Sequence, residues 1–160
     1  MLRVADIEQH AIEALLARYQ LRLVVEKDRA EITGSFWGDP EAGIVGTTVF
    51  VRRDTPVHSL LHETGHVICM TAQRRAGLDR NAGGDDLEEA AVCYLQVILA
   101  DELDGVGRQR LMLDMDNWGY SFRLGNTRTW FDQDADDAQE FLKNHGLLND
   151  AGLPTFKLRQ

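Results

Sequence analysis

Basic side chains are scarce in this 160-residue chain, with 17 Lys and Arg against 26 Asp and Glu and a formal net charge of −9. Phosphate backbones are held by clustered Lys and Arg that release counterions, so nucleic acid is not expected as a direct partner. Proline is also rare, at three residues, and 44% of the chain is hydrophobic against 27% charged. That balance excludes a disordered or low-complexity chain and predicts one folded domain over 1–160.

Long apolar runs are missing as well. No stretch approaches the 18 or so apolar residues of a membrane span, and Arg3, Asp6 and Glu8 break up the N-terminus where a signal peptide would need its apolar core. The expectation is a cytoplasmic protein without membrane attachment, which also argues against an exported effector. Only two cysteines are present, Cys69 and Cys93, each inside an apolar run, so both read as reduced, buried side chains. Acidic residues gather in 79–104 and 132–140. They read as a solvated surface or, more sharply, as an acidic rim that favours cationic peptides.

Ile7, Ala11, Ile12, Leu15 and Leu16 follow helical spacing and predict an amphipathic helix over about 4–19. Alternation then predicts strands at Leu21–Val25, Ala30–Trp37 and Ile44–Val51, the last two joined by turn residues 38–43. Thr55-Pro56 is a helix start, with Thr55 as N-cap, for a helix over 56–73. Asp85 or Asp86 can cap a second helix over roughly 87–103. A short helix at 108–115, a strand-like stretch from Trp118 to Trp130 and a final helix from Asp134 to Asn144 complete an α+β chain. Its core is expected within 1–103, with a mainly helical extension over 104–160.

The chemistry sits in His62-Glu63-Thr64-Gly65-His66. Histidines at i and i+4 project two imidazoles from one helix face, as a tetrahedral zinc ion requires. Glu63 lies beside them, free to take a proton from a zinc-activated water rather than to ligate. Gly65 costs a helix interior about 1 kcal/mol relative to alanine, which makes sense if another backbone or a substrate comes close there.

Two histidines leave zinc short of a protein ligand. The longer pattern with a third histidine is absent, because Cys69 and Ala72 stand where its glycine and histidine would be, and this excludes the metzincin class. A carboxylate from the next helix is the alternative. Glu88 lies over Ala91, Val92 and Leu95 on the apolar face, where a carboxylate needs a partner, whereas Glu89 lines up with Cys93 and Gln96. Glu88 is therefore preferred over Glu89 as third ligand, with His62 and His66 as the first two.

At this point the chain resembles the gluzincin metallopeptidases, and within them the ImmA/IrrE type, through His62-Glu63-Thr64-Gly65-His66 and Leu87-Glu88-Glu89-Ala90-Ala91. Val92 departs from the Asp or Asn that related families often carry after Glu-x-x-Ala. The resemblance covers about 1–103 and implies a zincin-like fold, a zinc cofactor, a water nucleophile and Glu63 as base. It also implies an extended peptide or protein substrate paired to an edge strand, for which Ile44–Val51 is the best segment. An oxyanion-stabilising Tyr or His is expected in this group, and Tyr120, Tyr94 and His145 are the available types, Tyr120 being preferred. His145 alternatively reads as a helix-end cation, His58 as a solvated first-turn residue and Cys69 as core. The alternative to a metallopeptidase is a zinc-binding regulatory module that keeps the site for structure alone.

Overall fold

A computed structural model describes residues 1–160. Its helices are α1 (Gln9–Arg18), α2 (Val57–Cys69), α3 (Ala72–Ala76), α4 (Asp86–Ala100), α5 (Arg108–Trp118), α6 (Thr127–Gln133) and α7 (Asp136–Asn144). The strands are β1 (Arg22–Val25), β2 (Gly43–Val45) and β3 (Thr48–Val51). The sheet order is β1-β3-β2, with β1 parallel and β2 antiparallel to β3, so the protein is α+β with a small mixed sheet.

Several local expectations shift for identifiable reasons. The N-terminal helix begins at Gln9 rather than near residue 4, after a separate 3₁₀ turn at Val4–Asp6. That turn is stitched elsewhere: Val4 N–H donates to Thr55 O and Ala5 N–H to Arg53 O, which holds Ile7 and Glu8 extended between the two pieces. Ile44–Val51 is not one strand but the hairpin β2-β3, turning at Gly46-Thr47 with Gly46 at φ 57°, a backbone state glycine enters without steric cost.

The predicted strand at Ala30–Trp37 is instead a loop. It is pinned by the buried Arg52 guanidinium, which donates to Ala30 O and Asp39 Oδ2 at 2.9 and 2.8 Å and pairs with both oxygens of Asp54. This loop lies directly on β2. A Cβ added to Gly43 would sit 1.9 Å from Thr33 O, so only glycine admits that approach.

Thr55 does not cap α2, because its hydroxyl accepts from Arg52 N–H at 2.9 Å and closes the preceding turn. The helix starts after an extended Pro56 and stops at Cys69, where Met70 turns extended and Thr71 caps α3 by accepting from Arg74 N–H. Every residue of α2 except His62 is buried, which makes it the central rod of the molecule. In α4 the cap is Asp85, which accepts from Glu88 N–H.

Residues 104–160 do not form a peripheral extension. Leu111, Met115, Trp130, Phe131, Leu142 and Leu148 join the same cluster of 39 buried hydrophobic residues as Leu60, Val67 and Leu95. The stretch Trp118–Trp130 contains the end of α5, a turn and α6, rather than a strand; Asn126 caps α6 by accepting from Thr129 N–H. The final helix matches its expected span to within two residues and ends before Gly146 at φ 70°.

The α2–α4 contact accounts for Gly65. A Cβ there would lie 3.1 Å from Val92 Cγ1 and 3.3 Å from Val92 O, so the neighbouring backbone does approach this glycine. Overpacking such a contact costs about 1–3 kcal/mol. Gly65→Val is expected to lower unfolding free energy by at least about 2 kcal/mol, read from urea denaturation; an unchanged midpoint would show that the helices can separate freely.

Candidate metal centre

His62 and His66, one turn apart on α2, stand with ring centroids 4.7 Å apart and planes nearly perpendicular. From the first turn of α4, Glu89 brings Oε1 to 3.1 Å from His62 Nε2 and Oε2 to 3.2 Å from His66 Nε2. The ligand atoms of these three residues all lie within 4.8 Å of one another. Two imidazole nitrogens and a carboxylate this close together form a group that could hold a metal ion.

Glu88, the preferred third ligand on sequence grounds, is not part of this group. Its buried carboxylate takes two hydrogen bonds from Arg74, at 2.7 and 2.9 Å, and one from Arg159 at 3.2 Å. A carboxylate on the apolar face does need a partner, and here two arginines meet the need. Glu89 sits about 100° further round the helix, half exposed, and so faces the cleft. Burial disfavours its charged form, but hydrogen bonds from His62 and His66 outweigh that and hold its carboxyl far below the usual range.

Glu63 is 7% exposed and borders the cavities on both sides of the histidines. Burial pushes its carboxyl above the ordinary carboxylate range, against the pull of His66 and His62. The larger cavity, about 460 Å³, is walled by Trp37, Glu41, Ser59, Trp118 and Tyr120. The smaller, about 280 Å³, lies beside Phe36 and the loop Arg80-Asn81-Ala82-Gly83-Gly84.

One residue of the site was missed in the sequence. Gln96, fully buried, places its side-chain carbonyl 3.0 Å from His62 Nδ1, and its amide donates to His58 O at 2.8 Å and Tyr120 Oη at 3.2 Å. Since the Gln96 carbonyl can only accept, Nδ1 donates to it, which fixes the ring with Nε2 facing Glu89. Gln96 thus orients His62 from α4, while Val92, where related families often carry Asp or Asn, packs on Gly65. The available signal was a lone amide in an otherwise apolar run, seven residues and two turns after Glu89. His66 Nδ1 is buried without a partner.

Tyr120 lies in the cavity wall, its hydroxyl held by Gln96 and, at 3.2 Å, by His58 Nδ1. Burial pushes its phenol up to about 12, so it stays protonated. His58 is not a solvated first-turn residue: it is 1% exposed beneath the site, against Trp118 and Tyr120. Burial, reinforced by nearby His62, pushes its pKa down to about 4. Cys69 and Cys93 are both free and buried; Cys69 is in the core, and it is Cys93 whose sulfur comes to 4.0 Å from Glu89 Oε1. His145 sits exposed at the end of α7, and Tyr94 stacks on Phe131; neither joins the site.

No helix is long and apolar enough to cross a membrane. Comparison with protein-family models, with curated proteins and with solved structures found no match for this chain.

Two outcomes follow from this geometry. Glu89→Gln is expected to weaken zinc binding at least tenfold in a chelator competition, whereas Glu88→Gln keeps zinc stoichiometry and instead destabilises the fold by about 3 kcal/mol through uncompensated arginine. The reverse pattern would restore Glu88 as the ligand. For His58, a folded pKa near 4 against about 6.5 unfolded means its stabilisation is complete above pH 6.5 and drains as pH falls toward 4. That amounts to roughly 3 kcal/mol, so metal-free His58→Gln should show a shallower fall of unfolding free energy over that window than metal-free wild type.

Proposed function

We propose that the protein is a zinc-dependent metallopeptidase with a zincin-like fold, of the gluzincin group. The observation that carries this reading is the His62-His66-Glu89 group with Glu63 beside it, opening on a cleft rather than closed in the core. A purely structural zinc site is four-coordinate and shut, whereas three protein ligands at a cavity leave a position for water or substrate. A zinc ion held there would supply Lewis-acid activation of water and carbonyl.

The chain's own residues supply the rest. Glu63 accepts the proton of the attacking water and passes it to the departing amine, which a carboxylate bordering both cavities can reach in turn. Gln96 holds the His62 ring so that Nε2 keeps its direction as charge develops. Tyr120, the only phenol in the cavity wall, is the group assigned to steadying the oxyanion, its proton retained by burial.

The mode of substrate pairing inferred from the resemblance needs revision. β3 is the central strand, and the outer edge of β2 is already used: Ile44 N–H donates to Gly34 O, Arg80 N–H to Ile44 O, and Gly46 N–H to Leu78 O. A peptide would instead lie along the 36–41 and 80–84 loops, which line the two cavities beside His62 and Glu63.

The test is zinc content together with cleavage of a diverse peptide mixture read by mass spectrometry. Wild type and Glu63→Gln should both hold about one equivalent of zinc, and the variant should cleave roughly 10²–10⁴-fold more slowly. A metal-free wild type would sink the reading. Zinc without cleavage by wild type would favour a regulatory module.

A further inference from the structure

The larger cavity has a polarity of its own. Glu63 and Glu89 belong to the metal group, but Glu41 does not, and no lysine or arginine lines this cavity to offset it. Glu41 is also held in place from three directions. Its Oε1 accepts from Trp118 Nε1 at 3.1 Å, the neighbouring Ala42 N–H donates to the buried Ser59 hydroxyl at 2.9 Å, and Asp39, two residues earlier, is clamped by Arg52. One carboxylate oxygen of Glu41 remains free of the Trp118 bond.

Two indoles flank this carboxylate with their surfaces uncovered: Trp37 is 73% and Trp118 41% exposed. Large exposed aromatics are unusual away from binding surfaces, and here they border one cavity together. Exposed indoles beside an uncompensated carboxylate form a receptor for a cation, because the ring quadrupole and the carboxylate attract the same charge. The one basic side chain near this group, the exposed Arg80 of the smaller cavity, is paired with Asp79 at 3.5 Å and does not line the Glu41 cavity.

We propose that the Trp37-Glu41-Trp118 pocket is the specificity site of this cleft and takes the cationic side chain of an Arg or Lys next to the bond to be cleaved. This deepens the peptidase reading and rests on it for the cleavage step, but the pocket's preference for a cation is a binding property that can be read separately.

The binding test uses full-length Glu63→Gln protein loaded with zinc, titrated with acetylated, amidated pentapeptides whose central residue is Arg or its neutral isostere citrulline, and followed by tryptophan fluorescence. The Arg peptide should bind about tenfold more tightly than the citrulline peptide, a contrast that should shrink as salt is raised. Adding Glu41→Gln or Trp37→Ala should bring the ratio close to one. Adding Asp150→Asn, the same charge change on an exposed residue that lines neither cavity, should leave it intact and so separate the pocket from the net charge of −9. Equal binding of Arg and citrulline peptides, or a ratio that survives both pocket substitutions, overturns the proposal. Arg-selective binding with no cleavage by wild type supports the pocket and defeats the peptidase reading; cleavage by wild type with no preference for basic residues does the opposite.

Discussion

The approach of α4 to α2 at Gly65 sets the geometry of the His62-His66-Glu89 group. With Val92 O only 3.3 Å from where a Cβ would be, the two helices lie close enough for a carboxylate in the first turn of α4 to reach both imidazoles of α2. A larger residue at 65 would push α4 outward, and the short Glu89 side chain could not follow. Glycine's helix penalty of about 1 kcal/mol is thus the counterpart of a site built from side chains on two helices.

Close packing alone would let the helices slide or rotate. What fixes their register is a set of buried polar groups, each with a specific partner. Glu88 is gripped by Arg74 and Arg159, and Arg159 also donates to Cys69 O at the end of α2, so one ionic knot joins both helices and the C-terminal residues. Two turns further along α4, Gln96 ties His62, His58 O and Tyr120 together. Buried pairs of this kind contribute modestly to net stability but penalise every arrangement in which one partner is left alone.

The loop over 30–42 extends this logic to the cleft. Arg52 anchors its base, Gly43 lets it lie on β2, and Ser59 of α2 receives the Ala42 N–H. Those contacts occupy part of the sheet edge on which a substrate strand was expected to add, and in exchange they hold Trp37 and Glu41 beside the metal group. A solvent-facing loop pinned at both ends presents side chains with little ordering cost on binding.

Local signals carried the parts of this protein that depend on neighbours in sequence. The i, i+4 histidines with Glu63 between them, a helix cap at Asp85 or Asp86, the amphipathic character of α1 and the reduced cysteines were all legible, because helical periodicity and capping are properties of a few adjacent residues. What tertiary structure decided was which of two adjacent carboxylates faces the histidines. Glu88 and Glu89 differ only by rotation about the helix, and the choice rests on Arg74 and Arg159, 14 and 71 residues away from Glu88. The burial of His58, the hairpin inside Ile44–Val51, the loop at 30–37 and the role of Gln96 likewise depend on partners distant in sequence, which no periodicity encodes.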